Sequence, residues 1–421
     1  MEFAIKNARI FFHKEIRSYD LLIKDGRIGE IGRDLKADST MDARGLLILP
    51  GGIDSHVHFR DMGEVHKEDW FTGSSAAAAG GVTTVIEHPN TVPPTTTVAS
   101  LKKKLEVAKR SVVDYGINAG VTGGYENLTR LWKDGVTAFG EIFMDDLEDG
   151  DIFEALKIVG DIGATACIHA EDREAVLEDS TRPKICEIRA IETVLKMRKS
   201  LGVKLHVCHL STKRGLELLK GKNVTKEVTP HHLFLSEDDF KKAGPFAKMN
   251  PPLRNESDKA FLWQGIRDGT IDILASDHAP HTIEEKSVDI LDAPSGVPGV
   301  ETMIPLMLSS VKKDQISLER LVTLASHNPA RIFGLTRKGA IEIGKDADLI
   351  FVNMKAEKKI KSDKLHSKSC WTPFEGRNAI FPDKVLLRGG VVFEDGVEQG
   401  KAGYGNFLSG AGPCEGIEPQ S

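Results

Sequence analysis

Alternation of apolar and polar positions dominates both ends of the chain. FAIKNARIFF, YDLLIKDGRIGEIG and LLILPGGID, all within about the first fifty residues, read as strands separated by Asp-Gly and similar turn signals. The same pattern returns in DADLIFVNM and DKVLLRGGVVFEDG near the other end. Two strand-rich ends around a different middle predict one small β domain built from both termini, residues 1–50 and 335–400. Between them, residues 51–334 alternate strand and helix. The strand candidates are IDSHVHF, VTTVIEHPN, YGINAGV, VTAFGEIFM, TACIHA, KLHVCHLS, KEVTPHH and IDILASDHAP. Helical periodicity fills the gaps, as in ASLKKKLEVAKRSVV, CEIRAIETVLKMRKSL, TKRGLELLKG and SDKAFLWQGIRDG. Eight parallel strands with intervening helices predict an α/β fold, a closed (β/α)8 barrel of the TIM type. A doubly wound open sheet is the alternative, but no G-x-G-x-x-G follows the first strand. The Gly-rich residues 401–421 read as a poorly packed tail.

Composition narrows the class. With 421 residues, 40% apolar and 28% charged, the chain is long enough for a barrel and has the balance of a soluble globular protein. A net charge of −6 gives no reason to expect a nucleic-acid partner. Cys167, Cys186, Cys208, Cys370 and Cys414 form no CxxC pair and suit a reducing cytosol better than a disulfide framework. The N-terminal residues lack the pattern of a signal peptide, and no apolar run approaches the roughly 20 residues that span a bilayer. The expectation is a cytoplasmic enzyme acting on a small molecule, with no membrane partner.

Candidate chemistry gathers at strand ends. In IDSHVHFRD, His56, His58 and Arg60 alternate, so the two imidazoles face one side and can share a metal. His169 ends TACIHA, His209 ends KLHVCHLS, and Asp277 ends IDILASD with His278 and His281 after it. Singly, each is better read as a buried histidine with satisfied nitrogens or as a helix cap. Together they sit at the end of the barrel where active sites collect. Four histidines with carboxylates suit borderline divalent metals, zinc foremost, and two adjacent cations need a bridging anion. The fourth strand, VTAFGEIFMDDLEDG, offers Glu141, Asp145 and Asp146.

The segments HVHFRD, EHPNT, TPHH, NPPLR and SDHAPH together resemble the dihydroorotases of the cyclic amidohydrolase superfamily, from about Ile53 to Gly334. The resemblance implies a two-zinc centre that reversibly cyclises N-carbamoyl-L-aspartate to L-dihydroorotate in pyrimidine synthesis. It implies His56, His58 and Asp277 as ligands of the more buried metal, and His169 and His209 as ligands of the second. His209 is preferred to His206 as the second histidine of HVCH, which requires a departure from strict strand alternation. Family members usually bridge their metals with a carbamylated lysine or an aspartate. No lysine stands in AFGEIFM, and Glu141 falls where it would be. Asp277 is the expected proton carrier. Arg60, Asn90 and His281 resemble contacts to the substrate carboxylate, Asn250 a ring contact, and Ser295 and Gly296 backbone contacts. Hydantoinase and allantoinase relatives form the alternative, against which Arg60 argues because they generally lack it.

Overall fold

The computed structural model describes residues 2–122 and 124–410. The N-terminal alternation becomes strands β1 (Glu2–Phe12), β2 (Glu15–Lys24), β3 (Arg27–Gly32), β4 (Thr40–Asp42) and β5 (Leu47–Pro50). The chain then enters eight parallel strands, β6 (Gly52–Val57), β7 (Val82–Glu87), β8 (Asp114–Ile117), β9 (Phe139–Phe143), β10 (Thr165–His169), β11 (Lys204–Val207), β12 (Thr225–Val228) and β13 (Ile273–Leu274). Ladders run β6-β7-β8 and β9 through β13. Single parallel bridges, Ala119 to Phe139 and Val57 to His278, close the two gaps and complete the barrel. After it come β14 (Leu349–Val352), β15 (Lys358–Lys359), β16 (Asn378–Ala379), β17 (Lys384–Leu387), β18 (Gly390–Glu394) and β19 (Val397–Glu398).

Both ends meet in one sheet, ordered β19-β18-β17-β14-β5-β1-β2-β3, with β4 on β1. The seam is antiparallel β5 on β14, Leu47 opposite Val352 and Pro50 opposite Leu349. Ile5, Ile10, Leu21, Ile23, Leu349, Phe351 and Leu386 fill its separate core. The small β domain expected from both termini is therefore present.

Barrel strands β6 and β7 are buried at every position, which is why their sequences do not alternate. Their helices are held by local chemistry. Asp69 caps the helix Trp70–Ala79 through the N–H groups of Phe71 and Thr72. That helix packs closely: a Cβ on Gly73 would stand 2.5 Å from the Phe59 ring.

Three expectations need correction. ASLKKKLEVAKRSVV was too long for its helix, which spans Val98–Ala108 and gives way to a turn before β8. In KEVTPHH only Thr225–Val228 is strand; Thr229 caps a short helix Pro230–Phe234, with proline where a helix start tolerates its missing N–H. Residues 401–410 are not a poorly packed tail. The Tyr115 N–H donates to the Asn406 carbonyl (2.9 Å), the Leu408 N–H donates to the Tyr115 carbonyl (2.7 Å), and Phe407 packs on the barrel core. Residues 411–421 of that tail lie outside the described residues.

Candidate metal centre

The C-terminal ends of the barrel strands deliver the histidines and carboxylates into one buried box. Its centre is Glu141 on β9, whose two oxygens face different pairs of imidazoles. Oε1 lies 2.8 Å from His169 Nδ1 and 2.5 Å from His209 Nε2. Oε2 lies 3.4 Å from His56 Nε2 and 3.9 Å from His58 Nε2. Asp277 Oδ1 completes the second group, 3.6 Å from His56 Nε2 and 3.2 Å from His58 Nε2. Both sets, His56–His58–Glu141 and Glu141–His169–His209, bring their donor atoms close enough to hold a cation.

The outer nitrogens of three imidazoles are already committed, which fixes their tautomers. His56 Nδ1 donates to Glu227 (2.6 Å), His58 Nδ1 to the Asn90 side-chain oxygen (2.6 Å), and His169 Nε2 to Glu171 (2.9 Å). Each inward nitrogen presents a lone pair once a cation takes the place of its proton; although burial opposes it, the surrounding carboxylates raise the pKa of His56, and that of His169 to about 10, so these imidazoles carry charge until then. His56 Nε2 is buried with no hydrogen-bond partner. Two carboxylates among these three imidazoles and that of His209, whose Nδ1 has no partner among the described residues, form a donor set that fits divalent cations. Burial pushes the Glu141 carboxyl upward, but His56, His209 and His169 outweigh it and hold the group well below its ordinary range. Asp277 is likewise held low: burial opposes ionisation, and the His58 hydrogen bond with the neighbouring imidazoles overcomes it.

His209 reaches this box because the backbone leaves β11 before it. The strand ends at Val207, and His209 sits at φ +30°, which swings its ring toward Glu141. His206 instead donates to Glu227 (3.0 Å) behind the site. The departure from alternation that the HVCH pairing required is a real bend.

Above the box opens a cleft of about 360 Å³, lined by His58, Arg60, Asn90, Asn250, His281, Ser295 and Gly296 among others. Every residue that the resemblance implied for metal or substrate thus lies in the box or the cleft, whereas His278 turns away, accepting from the Gly299 N–H (3.1 Å). Arg60 is buried, at φ +61°, with Nε donating to the Pro280 carbonyl (3.3 Å). His281 Nε2 donates to the Ser295 carbonyl (3.0 Å), so the guanidinium 3.3 Å away keeps its outer donors for the cleft. Burial, then the Arg60 charge, lowers the His281 pKa to about 3, and its imidazole is neutral. Asp145 does not face the centre. Arg182 holds it at 2.8 Å while binding Glu171 at 2.5 Å, which leaves Asp145 4.0 Å from the outer nitrogen of His169.

Sequence reasoning missed Glu227, Glu171, Arg182 and His88. Glu227 is buried in β12, whose residues TKEV form no apolar run that a carboxylate would interrupt, so the local pattern carried no signal for it. His88 stacks on His56 (centroids 3.9 Å apart), and burial followed by the His56 charge keeps it neutral.

Comparison with known proteins agrees with this geometry. Residues 47–384 match the amidohydrolase family. The dihydroorotase of Methanosarcina mazei is 46% identical over 97% of this chain and 98% of its own. That of Halobacterium salinarum is 41% identical over 90% of this chain and 94% of its own. The L-hydantoinase (dihydropyrimidinase) from Arthrobacter aurescens superposes with a TM-score of 0.93 at 32% identity, covering 97% of this chain and 99% of that one. A D-hydantoinase from Thermus sp. gives 0.90 at 26% identity, over 97% and 98%. By barrel, by buried His–carboxylate box and by sequence, the chain belongs to the amidohydrolase family and groups within it with the dihydroorotases.

Proposed function

We propose that this chain is a dihydroorotase, which reversibly closes N-carbamoyl-L-aspartate to L-dihydroorotate in pyrimidine synthesis. The observation that carries the reading is a buried guanidinium, Arg60, on the wall of a cleft whose floor is a His–carboxylate metal box. An arginine kept out of water without a carboxylate bound to it suits a ligand that brings one, in the bidentate geometry guanidinium favours.

The residues divide into roles. His56, His58 and Asp277 would hold one divalent cation and His169 and His209 the other, with Glu141 between the two sets as the shared carboxylate; zinc best matches these donors. When bound, such a pair polarises a carbonyl and lowers the pKa of water toward neutrality. Arg60, Asn90 and His281 hold the substrate carboxylate that takes no part in the reaction. Asn250, Ser295 and Gly296 face the ring. In hydrolysis, Asp277 accepts the proton of the attacking water and delivers it to the departing ring nitrogen; in synthesis it carries the proton back. The hinge of the reading is charge on the substrate. Hydantoinases share the fold at high TM-score, but Arg60 supports an acidic ring over a neutral one.

Purified, metal-analysed protein assayed with dihydroorotate beside dihydrouracil, hydantoin and allantoin tests this directly. Dihydroorotate should be turned over best. Arg60→Met should keep its metals and lose on the order of 3 kcal/mol or more in kcat/KM, as for a charge whose buried partner is removed. Preference for a neutral ring would make the chain a hydantoinase instead.

A further inference from the structure

The wall of the cleft formed by Ser295 and Gly296 is bare backbone with no regular structure. Gly296 sits at φ +133°, and a Cβ there would stand 2.5 Å from the Ala279 carbonyl oxygen. What holds this turn is Lys286, the last residue of the short helix Ile283–Lys286, and it is fully buried. Its ammonium donates to the carbonyls of Pro294 (2.8 Å), Gly296 (3.0 Å) and Lys248 (3.2 Å), which uses all three of its protons. Lys248 lies two residues before Asn250, and its carbonyl also accepts the Gly296 N–H (3.0 Å). One ammonium therefore ties together two cleft-lining segments. Beneath it lies the Trp371 ring, 5.7 Å from Nζ, whose indole N–H donates to the His281 carbonyl (2.8 Å).

The oddity is electrical. Among the described residues no carboxylate lies within ion-pair distance of Lys286, and the charged groups facing it from other segments, Lys248 and Arg60, are both cations. Burial, with those two charges, lowers its pKa to about 7. A methionine would fill the same space without the cost of a buried, unpaired charge. An acidic ligand bound on the Arg60 wall would supply the missing counter-charge.

We propose that Lys286 is a positioning residue that fixes the Ser295–Gly296 turn and the Lys248–Asn250 segment around the ring, and whose unpaired charge favours a ring bearing a carboxylate. This rests on the dihydroorotase reading of the cleft. Lys286→Met should retain wild-type metal content and a kcat within about threefold, while KM for dihydroorotate rises at least about tenfold, the pattern of lost uniform binding. Lys286→Gln, which keeps donors but not the charge, should fall between. In wild type, KM for dihydroorotate should climb between about pH 6 and 8.5, because an amine that takes up a proton on binding the anion weakens that binding once it is deprotonated. An unchanged KM in either variant, a parallel fall in kcat and metal content, or a wild-type KM flat across that range would overturn the proposal. Wild-type protein that does not turn over dihydroorotate would instead overturn the reading on which it rests, before any variant is made.

Discussion

Two buried clusters of charge sit at opposite ends of the barrel, and they resemble each other until their centres are compared. At the N-terminal end, Asp114 at the start of β8 meets Asp346 and Asp348, close enough together to hold a cation. That place is taken. Lys338 Nζ lies 2.5 Å from Asp114, 2.9 Å from Asp346 and 2.7 Å from Asp348, and Arg388 pairs with Asp114 from the side. At the C-terminal end, among the described residues, the box around Glu141 has no lysine or arginine at its middle; three of its imidazoles spend their outer nitrogens on Glu227, Asn90 and Glu171 and aim the other nitrogen inward. Gathered carboxylates alone do not distinguish a metal centre from a structural ion cluster. The distinction lies in whether a protein cation neutralises them and in what the second nitrogen of each histidine is doing.

The comparison breaks most visibly at Glu141. If this carboxylate joins two cations, Glu141→Ala should lose one metal or both and essentially all activity, read by metal analysis and turnover. Asp145→Ala should keep both metals, since Arg182 holds Asp145 away from the centre. Reconstitution of metal-free protein should be indifferent to bicarbonate, because a glutamate needs no carbon dioxide to carry its charge. Metal retained in Glu141→Ala would make the box an ion cluster like the one at the other end. A smaller effect is expected at Asp277, which binds and also moves a proton: Asp277→Asn should lower turnover in both directions by at least about 10²-fold. Activity within a few-fold of wild type would remove it from that role.

How much of this was legible in the sequence follows from how each feature is encoded. The barrel and the joined terminal sheet were readable because strand period and strand count are local properties that survive without knowledge of packing. The inward ligands were readable for a related reason, since each closes a strand and strand ends converge in this fold. Glu227 was not, because its partner lies far along the chain: His56 and Glu227 are 171 positions apart. Glu171 and Arg182 are near their partners in sequence, two positions from His169 and eleven from each other, but both stand in loops where no periodicity marks a buried pair. The packed tail was missed for a different reason. Glycine-rich composition signals freedom, but Gly405 and Gly410 have no side chain because the segments just before β8 and β9 press against them: a Cβ would stand 1.9 Å from the Val113 carbonyl oxygen or 2.7 Å from Thr137.

The N-terminal cluster sharpens the comparison from its structural side. Lys338→Met should leave metal content and KM unchanged, since nothing in that cluster reaches the cleft, yet it should cost about 3–5 kcal/mol of stability by stranding buried carboxylates. The pH dependence of that loss has a definite sign. Burial already holds the Asp348 carboxyl above its ordinary range even with Lys338 beside it, and removing the ammonium raises it further. A native state that binds protons the unfolded chain has released loses stability as pH rises. The variant should therefore be destabilised least in mild acid and most above neutrality, seen as a Tm gap from wild type that widens with pH. A gap that narrows with rising pH, or a loss of bound metal alongside the fall in Tm, would mean that the two ends of the barrel are not separate in the way their centres imply.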